Sequence, residues 1–170
     1  MIGQFVAGKV YVFIDAANIF YSQRTLKWRI SYERLRRYFE SECDLGKIFI
    51  YTATDAKRPN QEKFVRMLTS NGFIVRTKPV KQIRIAEGVY QWKGNFDVEL
   101  TMDMLDHLNA YDTAVLLSGD SDFAPVIDRV KSHQKRVIMM SVKGHISKEL
   151  LDRAKYVNLK KLKRDIELVE

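Results

Sequence analysis

Four aspartates stand where carboxylates can meet. Asp15 ends the apolar run Val10-Tyr11-Val12-Phe13-Ile14, and Asp120 follows the apolar run Ala114-Val115-Leu116-Leu117-Ser118. In an open parallel sheet, ligands bind beyond the carboxyl ends of the strands, where the strand order reverses. Two aspartates at two such ends can converge there; capping of the helix that follows is the alternative for each. Asp97 opens the stretch 96–109. At ~100° per residue, Leu100, Met104, Leu105 and Leu108 form an apolar stripe, and Asp97 falls near its centre. A carboxylate there costs free energy unless something compensates it, a bound cation or a satisfied cap. Asp122 sits two residues after Asp120 in the turn Ser118-Gly119-Asp120-Ser121-Asp122-Phe123, where a helix dipole also favours an acid. Asp103 lies at the margin of the stripe, as a distant ligand or as a plain surface aspartate.

Asp15, Asp97, Asp120 and Asp122 together make an all-oxygen donor set. Hard oxygen ligands suit Mg²⁺ or Mn²⁺ rather than zinc. The matching chemistry is phosphodiester hydrolysis, in which such an ion neutralises the phosphate, acidifies a bound water and stabilises the leaving oxygen. Asn18, one turn beyond Asp15, is placed to orient the water or bind phosphate, or to cap a helix. Ser118 is a further candidate for substrate contact. His107, His133 and His145 show no ligand spacing. An aspartyl-phosphate phosphatase wants a second acid two residues after the nucleophile, and Ala17 stands there.

Carboxylates can be held this way only by a sheet with its strand ends on one edge. Apolar runs at 9–14, 47–51, 73–76, 114–118 and 137–140 are continuous rather than alternating, as in a sheet covered on both faces. They are interleaved with helical patterns at 31–42, from Asn60 to Asn71-Gly72, at 96–109, around Phe123, Val126, Ile127 and Val130, and at 147–154. Tyr156-Val157 adds an edge strand. This is an α/β class chain, a three-layer α/β/α sandwich with a mostly parallel sheet. It is expected to form one domain over 1–170, with its core at about 10–159 and a charged C-terminal tail at 160–170, either a solvated helix or a frayed end. Residues 83–85 and 89–92 flank Glu87-Gly88 as a hairpin. Lys81, Arg84 and Lys93, with Tyr90 and Trp92 interleaved, are candidates for gripping RNA, phosphates by the cations and an unpaired base by a ring; aromatics packed on the core are the alternative.

The net charge of +8 and pI of about 9.5 favour a polyanionic partner. Cys43 is the only cysteine, which excludes an internal disulfide or a cysteine-based zinc site. No apolar run spans a bilayer and no signal-peptide pattern opens the chain, so a cytoplasmic protein without a membrane partner is expected. Oligomeric state is not legible, and a homodimer is compatible with the sequence.

Three ordered motifs, Phe13-Ile14-Asp15-Ala16-Ala17-Asn18-Ile19, Lys93-Gly94-Asn95-Phe96-Asp97-Val98 and Leu117-Ser118-Gly119-Asp120-Ser121-Asp122-Phe123, resemble the NYN domain of the LabA-like branch of PIN-like nucleases. The resemblance runs from about Val10 to Leu159 and includes a closing helix at 147–154. It implies a PIN-like (Rossmann-like) sheet, a Mg²⁺ or Mn²⁺ site and ribonuclease activity on RNA. Asp15, Asp97 and Asp120 match the family's metal-binding acids, Asp122 the second aspartate of the serine-glycine-aspartate motif, and Asn18 the asparagine after the first acid. Asp103 matches an acid that commonly follows the second motif. Ala16-Ala17 departs from the glycine and glutamate often found there, which removes one further acid. A non-catalytic RNA-binding or regulatory adaptor on the same fold is the alternative function.

Overall fold

The structure is a computed structural model that describes residues 1–55, 59–87 and 89–169, without the side chains of residues 59, 81–86 and 89–93. Strands β1 (Lys9–Asp15), β2 (Asp44–Thr54), β3 (Ile74–Pro79), β6 (Thr113–Leu117), β7 (Arg136–Ser141) and β8 (Lys155–Asn158) form one sheet in the order β3-β2-β1-β6-β7-β8. Every pairing in it is parallel. β4 (Lys81–Ala86) and β5 (Val89–Lys93) form a separate antiparallel hairpin, with Arg84 opposite Tyr90 and Lys81 opposite Lys93. That hairpin occupies the stretch expected from its sequence, but the grip expected of Lys81, Arg84 and Lys93 rests on side chains outside the described residues.

The continuous apolar strands are explained by a core on each face of the sheet. Successive side chains of a strand point to opposite faces, and both faces are filled. Val10, Val12 and Ile14 of β1 pack in one core with Ile48, Ile50, Val115, Leu117, Ile138 and Met140. Tyr11 and Phe13 pack in the other with Phe49, Tyr51, Ala114, Leu116 and Met139. The first core is covered by α1 (Ala16–Leu26), α2 (Tyr32–Glu42) and α3 (Pro59–Ser70) through Ile19, Leu26, Leu35, Tyr38, Phe39 and Leu68. The second is covered by α4 (Asp97–Asp106), α5 (Ala124–Ser132) and α6 (Lys148–Leu151) through Leu100, Met104, Val126, Ile127, Val130 and Leu150. The result is the expected three layers.

Two elements differ from expectation. The helix at 96–109 starts at Asp97 and ends at Asp106, and Leu105 is 36% exposed rather than part of its buried stripe. The tail is not frayed, and it is solvated on one side only. Leu159, Leu162 and Ile166, carried by a 3-10 turn and α7 (Lys163–Ile166), are fully buried in the first core. Its backbone is tied down as well: Ser31 N–H donates to Ile166 O at 2.9 Å and Leu168 N–H to Arg29 O at 2.8 Å. The Arg34 guanidinium donates to the carbonyls of Asp165 (3.1 Å), Glu167 (3.0 Å) and Arg164. Charged residues dominate the tail's composition, but three apolar side chains at i, i+3 and i+7 decide where it lies. Among the described residues no helix is long and apolar enough to cross a membrane.

Candidate active site

The strand order reverses between β1 and β6, because the chain leaves β1 towards β2 on one side and returns to β6 on the other. At that point the carboxyl ends of two strands diverge into a crevice. Asp15 is the last residue of β1, and Ser118 directly follows the last residue of β6. Sequence position alone therefore delivers Asp15 and the turn holding Asp120 and Asp122 to the same edge. The first residue of α4 brings Asp97 to it from the next layer.

One carboxylate oxygen each of Asp97, Asp120 and Asp122 lie within 4.8 Å of one another. Asp97 is half-buried and the other two are exposed. Asp15 stands beside this group rather than in it. Its Oδ1 accepts the N–H groups of Ala17 (3.0 Å) and Asn18 (3.2 Å), which makes it the cap of α1. Its Oδ2 accepts the Ser118 hydroxyl at 3.3 Å. Burial pushes the Asp15 carboxyl above its ordinary range, those hydrogen bonds pull it down, and the charge of Asp120 raises it further. Asp97 is also raised, by burial first and then by the charges of Asp120, Asp15 and Asp122. The four acids thus share one field. Among the described residues, none of them forms an ion pair with a lysine or arginine. Capping and clustering, alternatives from sequence alone, occur together: Asp120 Oδ1 accepts the Asp122 N–H at 3.0 Å and still faces Asp97.

The supporting contacts aim these groups. The Asn95 amide donates to Asp97 Oδ2. Ser118 is fully buried, so its hydroxyl is not offered to substrate; it bridges Asp15 and the Asp120 N–H, which donates to it at 3.4 Å. Asn18 is half-buried, and its Oδ1 accepts the Ser141 hydroxyl at 3.5 Å. Its Nδ2 has no protein partner among the described residues, and Asn18 lines the cleft with Asp15.

Asp103 lies outside the cluster. Its carboxylate takes a two-pronged contact from Arg76, Nε at 3.0 Å and Nη2 at 3.1 Å, and the Tyr51 hydroxyl at 2.9 Å. Burial pushes Asp103 up, but the Arg76 and Tyr51 hydrogen bonds outweigh it and hold the carboxyl below its ordinary value of 3.8. A carboxylate with a depressed folded-state pKa contributes stability that is present above the unfolded value and is lost as pH falls through the folded one. Arg76 is 47% exposed, so the pair is screened. Asp103→Asn is expected to cost roughly 1–2 kcal/mol at neutral pH, a melting temperature lower by about 2–8 °C. That gap should close below pH 3.8 as the parent carboxyl protonates, while Mn²⁺ affinity stays unchanged. Melts on both sides of that range test it; a gap of equal size in acid would refute the ion-pair account.

The fold and this acidic edge define an α/β chain with an all-parallel sheet whose switch-point crevice is lined by carboxylates. The NYN domain model matches residues 9–160, and the chain belongs to that family. It is similar to the low amplitude and bright protein LabA of Synechococcus elongatus, 31% identical over 98% of this chain and 91% of that protein. It also resembles a crystal structure of a protein of unknown function from Vibrio parahaemolyticus, with a TM-score of 0.79, 25% identity and coverage of 95% of this chain and 96% of that one.

Proposed function

We propose that this protein is a divalent-metal-dependent ribonuclease acting on RNA. The observation that carries the reading is the approach of Asp97, Asp120 and Asp122 to within 4.8 Å, with Asp15 alongside, at the topological switch point of an NYN fold. The donor set fits a hard cation. It is all oxygen, it is clustered against its own repulsion, and among the described residues no lysine or arginine forms an ion pair with it, Lys78 acting on Asp97 only from a distance. Asp97, Asp120 and Asp122 would hold Mg²⁺ or Mn²⁺, with Asp15 completing the set. A bound ion of this kind supplies charge neutralisation at the phosphate and an acidified water. The chain's own part is positioning. Asn95, Ser118 and the amides of Ala17 and Asn18 fix the carboxylates, and the free Asn18 amide is placed to donate to a phosphate oxygen.

Incubation of single-stranded and structured RNA with the protein in Mg²⁺, Mn²⁺ or EDTA tests the reading. Strand scission in metal that stops in EDTA is expected. RNA that is bound but left intact in both metals would overturn the catalytic reading in favour of a non-catalytic RNA-binding adaptor. That second reading draws on Ala16-Ala17, where the family often carries an acid, and on a relative named for low amplitude and brightness rather than for a reaction.

A further inference from the structure

A cleft of about 980 Å³ starts at Asp15 and Asp120 and is lined onward by α1, Tyr32 and Phe64. Asp15 caps α1, so the helix leads directly away from the acids. Ile19, Ser22 and Leu26 face the core. Ala17, Phe20, Tyr21 and Arg24 follow i, i+3, i+4, i+7 spacing and share the opposite face. Phe20 and Tyr21 are 54% and 55% exposed, and both line the cleft. Their rings meet edge to face with centroids 5.6 Å apart. The Arg24 guanidinium lies 5.1 Å from the Phe20 centroid and 5.4 Å from that of Tyr21. Arg29 lines the cleft, and neither it nor Arg24 forms an ion pair among the described residues.

We propose that Phe20, Tyr21 and Arg24 form a stacking subsite for an unpaired RNA base next to the phosphate held at the acidic edge, so that the enzyme takes single-stranded RNA. This rests on the ribonuclease reading and adds its substrate class. Rings and a guanidinium are the surfaces on which extruded bases stack, and they do so with little sequence preference. Phe20 lies about 7.5 Å along the helix axis from the Asp15 cap, at ~1.5 Å per residue, within reach of the neighbouring nucleotide. The unpaired arginines match the charge of a nucleic-acid backbone, and the cleft that Phe20 and Tyr21 line runs on from the acidic edge, where the scissile phosphate would lie. In a duplex, bases are stacked inside and cannot reach the rings.

The test is fluorescence anisotropy with a labelled oligoadenylate of about ten nucleotides, in EDTA so that the strand stays whole. Phe20→Ala with Tyr21→Ala is expected to weaken binding roughly 5- to 100-fold, and Tyr21→Phe alone to bind like the parent. Abasic replacement throughout the probe should weaken the parent by a similar factor and the double variant hardly at all, which a merely structural role for the rings would not produce. Equal affinity of parent and double variant for the intact probe, while the parent still cuts RNA, overturns the subsite and leaves the nuclease reading standing. A parent that neither binds nor cuts RNA overturns both. A parent dimer that the double variant dissociates assigns the rings to a second copy of the chain and overturns the proposal.

Discussion

Asp120→Asn is expected to abolish divalent-metal binding and RNA cleavage together while raising the melting temperature of the metal-free protein. Asparagine keeps the oxygen that accepts the Asp122 N–H, so the turn after β6 survives. What disappears is a charge that raises both Asp15 and Asp97. Supporting residues around a metal typically contribute 10- to 100-fold in affinity or activity, so loss of a direct ligand should exceed ~100-fold. The pH dependence has a definite sign. Asp15 and Asp97 have folded values above 3.8, so the native state holds more protons than the unfolded chain in the window just above that value. The metal-free parent therefore loses stability as pH climbs through that window and stays lower above it. Asp120→Asn should lose less. Melting curves in EDTA and Mn²⁺ titrations read both effects, a rise of about 2–4 °C for each kcal/mol of repulsion relieved. Undiminished turnover in a clean preparation would remove Asp120 from the metal site.

The parts of this site legible in the sequence are those that follow from strand ends. A continuous apolar run ending in an acid places that acid at the carboxyl edge of a parallel sheet, and this holds for Asp15 and for the Asp120 turn. The helical stripe likewise indicated that Asp97 faces inward. Periodicity runs out where a partner comes from another element. Asp103 sits at the stripe margin as expected, but nothing in its own helix reveals that Arg76 of β3 and Tyr51 of β2 converge on it. Ser118 reads as a small residue in a reactive turn, and only its burial shows that it braces two aspartates. The tail had a readable signal in the spacing of Leu159, Leu162 and Ile166, masked by the lysines between them. Phe20 and Tyr21 had one too: aromatics on the face of α1 opposite its buried Ile19 and Leu26.

Gly119→Ala should be the most damaging alanine substitution among the described glycines. Gly119 is not in the left-handed region, so backbone strain is not the reason. The reason is close approach. A Cβ there would lie 1.6 Å from the carbonyl oxygen of His145, 2.6 Å from its carbonyl carbon and 2.9 Å from the Ile146 Cα. All three are backbone or bonded to it, so no flexible side chain can move aside. The same two segments are joined by the Ser147 N–H donating to Gly119 O at 3.0 Å. The loop after β7 would have to withdraw and break that bond, or the Asp120 turn would have to tilt out. Overpacking usually costs ~1–3 kcal/mol and occasionally more; with a backbone obstacle the upper end applies, a fall in melting temperature of roughly 6–12 °C. Because Asp120 and Asp122 follow directly, the same shift should spread the carboxylates and weaken Mn²⁺ binding by more than tenfold, through geometry and with no acid removed. Asp120→Asn loses metal while gaining metal-free stability; Gly119→Ala should lose both. A Gly119→Ala protein that melts with the parent and binds Mn²⁺ equally would show that the two loops do not pack this closely.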